Sequence, residues 1–157
     1  DNITYDVTNT DTIDTWVPAS LLSLYKYELK SNENSFTTAV QTSRDNGTTF
    51  FEQTLAISLK KQDQAMHKNI KLLAYGRPRI IVRTMTDQFF LMGLAQGCDT
   101  TAGEISSGAA LGDFNGYKLT FVASEVLPAN FIDVSTEAAL KTAFADGSGA
   151  DASIVTA

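Results

Sequence analysis

The amino-acid sequence predicts a mainly β protein of the α+β class, an antiparallel β-sandwich or partly rolled sheet with one packed helix. Three observations predict this class: a long alternating strand, one amphipathic helix followed by Gly and Pro, and turn residues spaced along the rest of the chain. A length of 157 residues suits a single domain over 1–157. The expected parts are an N-terminal arm or edge strands at 1–20, a β-rich core at 21–134, a short helix at 135–145 and a flexible C-terminal tail at 146–157.

The alternating strand is the second half of a predicted hairpin, in which Phe36–Ser43 turns at Asp45-Asn46-Gly47 into Thr48–Lys60. Successive side chains of a strand point to opposite faces, so this strand has an apolar set and a polar set. The apolar set is Phe51, Gln53, Leu55, Ile57 and Leu59, and the polar set is Glu52, Thr54, Ala56, Ser58 and Lys60. This pattern is typical of an antiparallel strand with one buried face.

The hydrophobic period then changes from 2 to 3.6 and predicts a helix at about 63–75. Its apolar stripe is Met66, Ile70, Leu73 and Ala74. Asp63 is placed to cap the start, and Gly76 to adopt the left-handed conformation after the end. Pro78 prevents continuation of the helix.

Further strands are expected on both sides of this region. The segments 79–86 and 88–94 are apolar on both faces and predict a central or covered hairpin around Asp87. Shorter patterns predict strands at Tyr25–Leu29, Tyr117–Glu125 and Phe131–Val134, and a second helix from Ser135 that buries Leu140, Ala143 and Phe144.

Turn chemistry is concentrated between the hairpin and the strand at 117–125. The predicted structural turns contain Gly97, Gly103, Gly112, Asn115 and Gly116. The pair Asn115-Gly116 predicts a type I′ turn, because both residues accept the positive φ that this turn requires.

The sequence offers no set of residues that would make a catalytic or metal site. His67 is the only histidine and Cys98 the only cysteine, and neither has a neighbouring ligand or base. Asp113 begins a stretch that resembles a calcium loop, but Lys118 and Ser124 occupy the positions where that loop needs Gly and Glu. We therefore expect no enzyme activity, cofactor or metal, and a buried or turn cysteine.

Charge and hydropathy exclude two further classes of function. A formal net charge of −6 argues against a nucleic-acid clamp, since such clamps neutralise phosphates with cations. The sequence also lacks an apolar run of the roughly 18 residues that a membrane span needs, so no membrane partner is expected.

The order of elements over about 48–125 resembles virion structural proteins of tailed bacteriophages, and most closely the tail tube (major tail) protein family. The resemblance lies in the alternating strand, the helix ending at Gly76-Arg77, the hairpin ending at Gly93, and the segments Gly97–Gly103 and Gly112–Phe121. It implies that six copies close their inner sheets into a ring-shaped β-barrel, and that rings stack into a hollow conduit for DNA.

The resemblance also implies partners and surfaces. The chain would bind itself and other head and tail proteins of the virion, touching DNA transiently and without sequence specificity, after synthesis in the cytoplasm of the host bacterium. The candidate lumen face is Glu52, Thr54 and Ser58. The candidate subunit interface is Tyr5, Trp16, Asn46, Gly47, Arg79 and Arg83. Arg79 and Arg83 fall on one strand face, where salt bridges between subunits are expected.

Two other functions fit the same sequence. The first is a capsid decoration protein or a head–tail connector or terminator ring. The second is a monomeric β-sandwich that binds carbohydrate through N-terminal aromatic residues, namely Trp16, Tyr5, Tyr25 and Tyr27.

Overall fold

The computed structural model describes residues 2–110 and 112–156. Most of the elements in these residues are strands, and two are helices. In chain order the elements are β1 (Asn2–Tyr5), β2 (Thr12–Val17), β3 (Ser23–Lys26), β4 (Ser35–Ser43), β5 (Thr48–Lys60), α1 (Gln64–Tyr75), β6 (Ile80–Arg83), β7 (Phe89–Met92), β8 (Asp99–Ser106), β9 (Gly116–Glu125), β10 (Asn130–Ile132), α2 (Glu137–Ala143) and β11 (Ser153–Thr156). This confirms a mainly β protein with two helices, in which most of the strand pairs are antiparallel.

Contacts divide the chain into two compact units. Unit 1 comprises Asp1–Tyr27, Ile81–Leu91 and Asn130–Ala157, and unit 2 comprises Glu28–Ile80 and Met92–Ala129. The single domain expected over 1–157 stays a prediction.

Unit 2 contains a four-stranded antiparallel sheet in the order β4-β5-β9-β8. The two inner strands supply its core: Leu55, Leu59, Tyr117, Leu119 and Phe121 are buried. Helix α1 lies on this face, where Ile70 is buried and the Thr100 hydroxyl donates to the carbonyl oxygen of Leu73 at 3.4 Å. The predicted hairpin of β4 and β5 is confirmed, with Gly47 at φ 61° in its turn.

Helix α1 begins and ends where the pattern predicts, but its caps differ. Asp63 occupies the N-cap position without a side-chain capping hydrogen bond. The prediction of a left-handed Gly76 is wrong: its φ is −90°, because the chain leaves the helix in an extended conformation towards Pro78. The Gly76 N–H still donates to the Leu72 carbonyl oxygen at 3.0 Å.

Unit 1 contains a five-stranded sheet in the order β1-β2-β10-β7-β6 and a two-stranded parallel sheet of β11 and β3. Helix α2 buries Leu140 and Ala143 as predicted. Trp16 on β2 is buried with its ring 5.6 Å from that of Phe144. The turn at Asp87 is confirmed, but β6 is an edge strand and only β7 is mostly buried.

The first and last described segments of the chain form strands of these sheets. Residues 2–5 form β1 at the edge of the five-stranded sheet, one of the two forms expected for 1–20. Residues 12–17 form β2, which is an inner strand between β1 and β10, so the expectation of an edge strand is wrong there. The flexible tail expected over 146–157 is wrong for 153–156, because β11 pairs with β3 and the Ser153 N–H donates to the Leu22 carbonyl oxygen at 3.0 Å.

The turn predictions are half right. Gly97, at φ 77°, and Gly112 lie in turns, whereas Gly103 lies within β8 and Gly116 begins β9. The type I′ turn at Asn115-Gly116 is wrong, because β8 and β9 are joined by the longer segment 107–115. Gly116 is paired in the sheet with β5 on one side and β8 on the other.

Candidate assembly surface

The four-stranded sheet has two chemically different faces, and the strand register shows which residues share them. On the apolar face, Leu55 is paired with Phe121 and Leu59 with Tyr117. We define the polar face by the alternate residues of the two inner strands: Glu52, Thr54, Ala56 and Ser58 of β5, and Lys118, Thr120, Val122 and Ser124 of β9. The polar set predicted for the single strand thus continues across its neighbour.

Ser58 differs from the other two residues of the candidate lumen face. Glu52 and Thr54 are half-buried, but Ser58 is only 3% exposed. Its N–H donates to the side-chain oxygen of Asn34 at 2.8 Å, and Glu33 binds Lys118 at 3.2 Å, so this segment covers that end of the polar face. The expectation that Ser58 is exposed with the other two is therefore wrong, while a lumen role for Glu52 and Thr54 stays a prediction.

The polar face is rich in hydroxyl groups and nearly balanced in charge. As defined, it contains two ionisable side chains, Glu52 and Lys118, and Lys60 continues the same set at the exposed end of β5. The charge of Lys118 is balanced by Glu33 in the ion pair just described. Such a face attracts phosphate groups weakly, because it offers no cluster of cations.

The sheet ends at two edge strands, β4 and β8. Each neighbouring pair is antiparallel, so the two edge strands run in opposite directions. Strand β4 is exposed over most of its nine residues and presents Val40 with 61% of its surface accessible. A long exposed edge is a template for pairing with another strand.

The hairpin of β4 and β5 extends beyond the rest of the sheet. The last residue of β9, Glu125, is paired with Phe51, whereas β4 and β5 continue to pair as far as Ser43 and Thr48. The three further residue pairs form a two-stranded ribbon of about 10 Å. Asn46 and Gly47, two of the candidate interface residues, lie exposed at its tip. Isolated ribbons are marginal in water, so a partner surface would stabilise this one.

A groove of about 410 Å³ lies between α1 and β8 on the apolar side of the sheet. Its walls are formed by His67, Ile70, Lys71, Ala74, Tyr75, Thr100, Thr101, Ala102, Gly103, Ile105 and Leu119. Gly103 keeps it open: an added Cβ would lie 3.3 Å from a terminal carbon of Leu119.

The other candidate interface residues lie in different environments. Tyr5 is exposed, whereas Trp16 is 6% exposed and belongs to the core of unit 1. Its prediction as an exposed interface anchor is therefore wrong. Arg83 binds Asp87 within the same hairpin at 2.6 Å, and Arg79 donates to the carbonyl oxygen of Leu94 at 2.9 Å. Both arginines thus have partners in their own chain.

Cys98 is buried, as the sequence predicts. Burial and then the charge of Glu125 raise the pKa of its thiol to about 12, which keeps it protonated. Within 2–110 and 112–156, His, Cys, Asp and Glu do not gather into a group of three that would hold a metal ion. Neither helix in those ranges has the length and apolar character to span a membrane.

Sequence reasoning missed a buried polar cluster that holds the turn after β7. The side chain of Gln53 accepts from the Gly93 N–H at 3.1 Å and donates to the Leu127 carbonyl oxygen at 3.3 Å. Glu125 accepts from the N–H groups of Ala95 at 3.0 Å and Gln96 at 2.8 Å. The available signal was the glutamine within the apolar set of β5.

Comparison of the chain with protein-family models, curated proteins and solved structures finds no match.

Proposed function

We propose that the chain is a structural subunit of a bacteriophage tail tube, which assembles as rings of six copies stacked into a conduit for DNA. One observation carries the proposal: the four-stranded sheet is apolar on one face and polar on the other, and it ends in two edge strands of opposite direction. A ring of such sheets is a barrel without edges.

The directions of the strands suit this closure. If β8 of one copy lies beside β4 of the next, the antiparallel alternation continues and the same face stays inside. Four strands from each of six copies would give about 24 strands and, at a tilt of about 40°, a diameter of about 50 Å between opposite backbones. That leaves room for a DNA duplex between side chains on both walls.

The polar face suits transient contact with DNA. It has many hydroxyl groups and few lysines, namely Lys118, which is paired with Glu33, and Lys60 at the end of β5. It would therefore release few counterions from a duplex, and DNA would slide without strong binding. A net charge of −6 acts in the same direction. Its partners would be further copies and other head and tail proteins, and its location the virion tail.

The carbohydrate-binding alternative loses support in the structure. Trp16, the strongest aromatic anchor in the N-terminal part, packs on Phe144 and is not available as a stacking platform. Tyr25 is exposed, but Trp16 is not exposed with it. A decoration or connector protein fits the open edges as well, and the assembly experiment separates it from a tube.

The test is negative-stain electron microscopy over a range of concentrations, with light scattering for mass. We expect sixfold rings that stack into hollow tubes. Single rings or trimers that never stack would favour a connector or decoration protein. A 17.0 kDa monomer at every concentration would argue against all three virion roles.

Two neighbouring substitutions provide a matched control, Thr38→Pro and Ala39→Pro in β4. Adjacent residues of an edge strand point their N–H groups in opposite directions. One proline therefore removes a hydrogen bond to β5, and the other removes only an outward N–H. We expect the variant that lacks only an outward-pointing N–H to fold normally and to block assembly. Assembly by both variants would contradict edge pairing through β4.

A further inference from the structure

We infer that the groove between α1 and β8 of one copy receives apolar side chains from β4 of the neighbouring copy, with Val40 as the main anchor. This inference rests on the proposed edge-to-edge assembly and adds a second contact to it. The occupant is therefore a second copy of this chain.

Val40 and the groove lie on the same face of the sheet. Val40 is paired with Phe51 and Phe36 with Leu55, so the even-numbered residues of β4 lie on the apolar face. Gly103, in the groove wall, is paired with Leu119 and lies on the same face. An exposed apolar side chain thus stands at one edge of this face, and a groove at the other.

The pairing of two copies through β4 and β8 allows only a few registers. A shift of one residue would turn every side chain to the opposite face, so a joined sheet that keeps its faces allows only shifts of two. Strand β4 has nine residues and β8 has eight. Full overlap, with the β8 bulge between Thr100 and Ala102 retained, places Phe36 beside Ile105 and Val40 beside Thr100.

The contact between the two copies would be apolar. Val40 is 61% exposed and Ile105 is 54% exposed, so each is a large apolar side chain without full cover in its own chain. Val40 would remove apolar surface from water without requiring a charged partner. Gly103 has no side chain to occupy the groove, and a Cβ added there would lie only 3.3 Å from a terminal carbon of Leu119.

The test is disulfide cross-linking in assembled rings. Val40→Cys is combined with Thr100→Cys, and in a second protein with Gly103→Cys, which samples the register shifted by two residues. We expect one combination to give a ladder of covalent multimers on oxidation, since a disulfide needs Cβ atoms about 4 Å apart. Ala39→Cys with the same partners is the control, because Ala39 lies on the polar face.

Each outcome separates the two proposals. Rings without a cross-link from Val40→Cys would overturn the groove contact and leave the tube proposal standing. Failure of the unsubstituted chain to form any oligomer would overturn both. Native Cys98 is buried, and Val40→Cys alone measures any cross-link through it.

A second experiment places a larger side chain in the groove. Gly103→Val should raise the concentration for half-assembly about tenfold, whereas Gly112→Val, with open space around its Cβ, should not. The effect of Gly103→Val should shrink when Val40 is replaced by Ala, because the two changes then act on one contact. Equal effects in both backgrounds would contradict the inference.

Discussion

Gly116 of β9 approaches Leu59 of β5 so closely that a Cβ added to Gly116 would overlap the carbonyl oxygen of Leu59. The neighbouring residues draw the strands together: Lys61, at φ 73°, donates its N–H to the Asn115 carbonyl oxygen at 2.8 Å. Glycine is required here by close approach of two strands, and not by a turn.

Replacement of Gly116 by alanine should destabilise the chain severely. The overlap is with backbone of a central strand, so relief requires β5 and β9 to separate. We expect a loss of about 3 kcal/mol or more in the free energy of unfolding, measured by urea denaturation. Gly112→Ala is the control, because its Cβ meets nothing within 4 Å, and its stability should change little. Equal stability of the two variants would contradict the close approach.

The buried carboxylate of Glu125 should be a second sensitive position. Glu125→Ala leaves the N–H groups of Ala95 and Gln96 without their acceptor, and we expect a loss of about 2–4 kcal/mol in urea denaturation. Glu125→Gln keeps a carbonyl acceptor of the same shape and should lose less. A matching loss in both variants would mean that charge matters and the hydrogen-bond acceptor does not.

The elements with a strong local pattern could be predicted from the sequence. The 3.6-residue period around Ile70 and the alternation around Leu55 depend on burial of one face, and the structure contains α1 and β5 at those places. The Asn46-Gly47 turn was predictable because its strands are adjacent in sequence. These features are decided by local geometry and hydrophobic burial.

The predictions that were wrong concern features that depend on distant parts of the chain. Ser58 has a polar side chain on a polar face, but residues 33–34 cover it. Gly116 has turn chemistry but a strand environment set by Leu59. The β11 strand has only four residues, and its pairing with β3 joins residues about 130 positions apart. No local pattern encodes these contacts, so one sequence alone could not give them.

The free energy of unfolding above pH 9 should depend on the Cys98 thiol. The pKa of its thiol is about 12 in the folded chain against an ordinary value of 9.0, so the unfolded chain loses this proton first as pH rises. The thiol's contribution to stability is therefore complete below pH 9 and is lost between pH 9 and about 12. We expect an added fall of about 1 kcal/mol per pH unit in the free energy of unfolding.

Cys98→Ala isolates this effect, because lysines and tyrosines titrate in the same range in both proteins. The variant should lose a constant amount of stability from the smaller side chain, with a shallower pH dependence between pH 9 and 10. Parallel curves for the two proteins, measured by urea denaturation, would contradict the raised pKa. Alkylation of the native thiol at pH 8 should also be much slower than in the unfolded chain.

The two helix N-caps offer a matched pair with opposite expectations. The Thr136 hydroxyl oxygen accepts the Ala139 N–H at 3.2 Å at the start of α2, whereas Asp63 makes no side-chain capping bond at the start of α1. Thr136→Ala should therefore lower the free energy of unfolding by about 1 kcal/mol, and Asp63→Ala by no more than about 0.3 kcal/mol. Urea denaturation at pH 7 measures both. The sequence alone would rank them the other way, since Asp63 precedes the longer helix and has a charge suited to its N-terminus. A larger loss for Asp63→Ala would mean that its charge, rather than a hydrogen bond, stabilises α1, and raising the salt concentration would then reduce that loss.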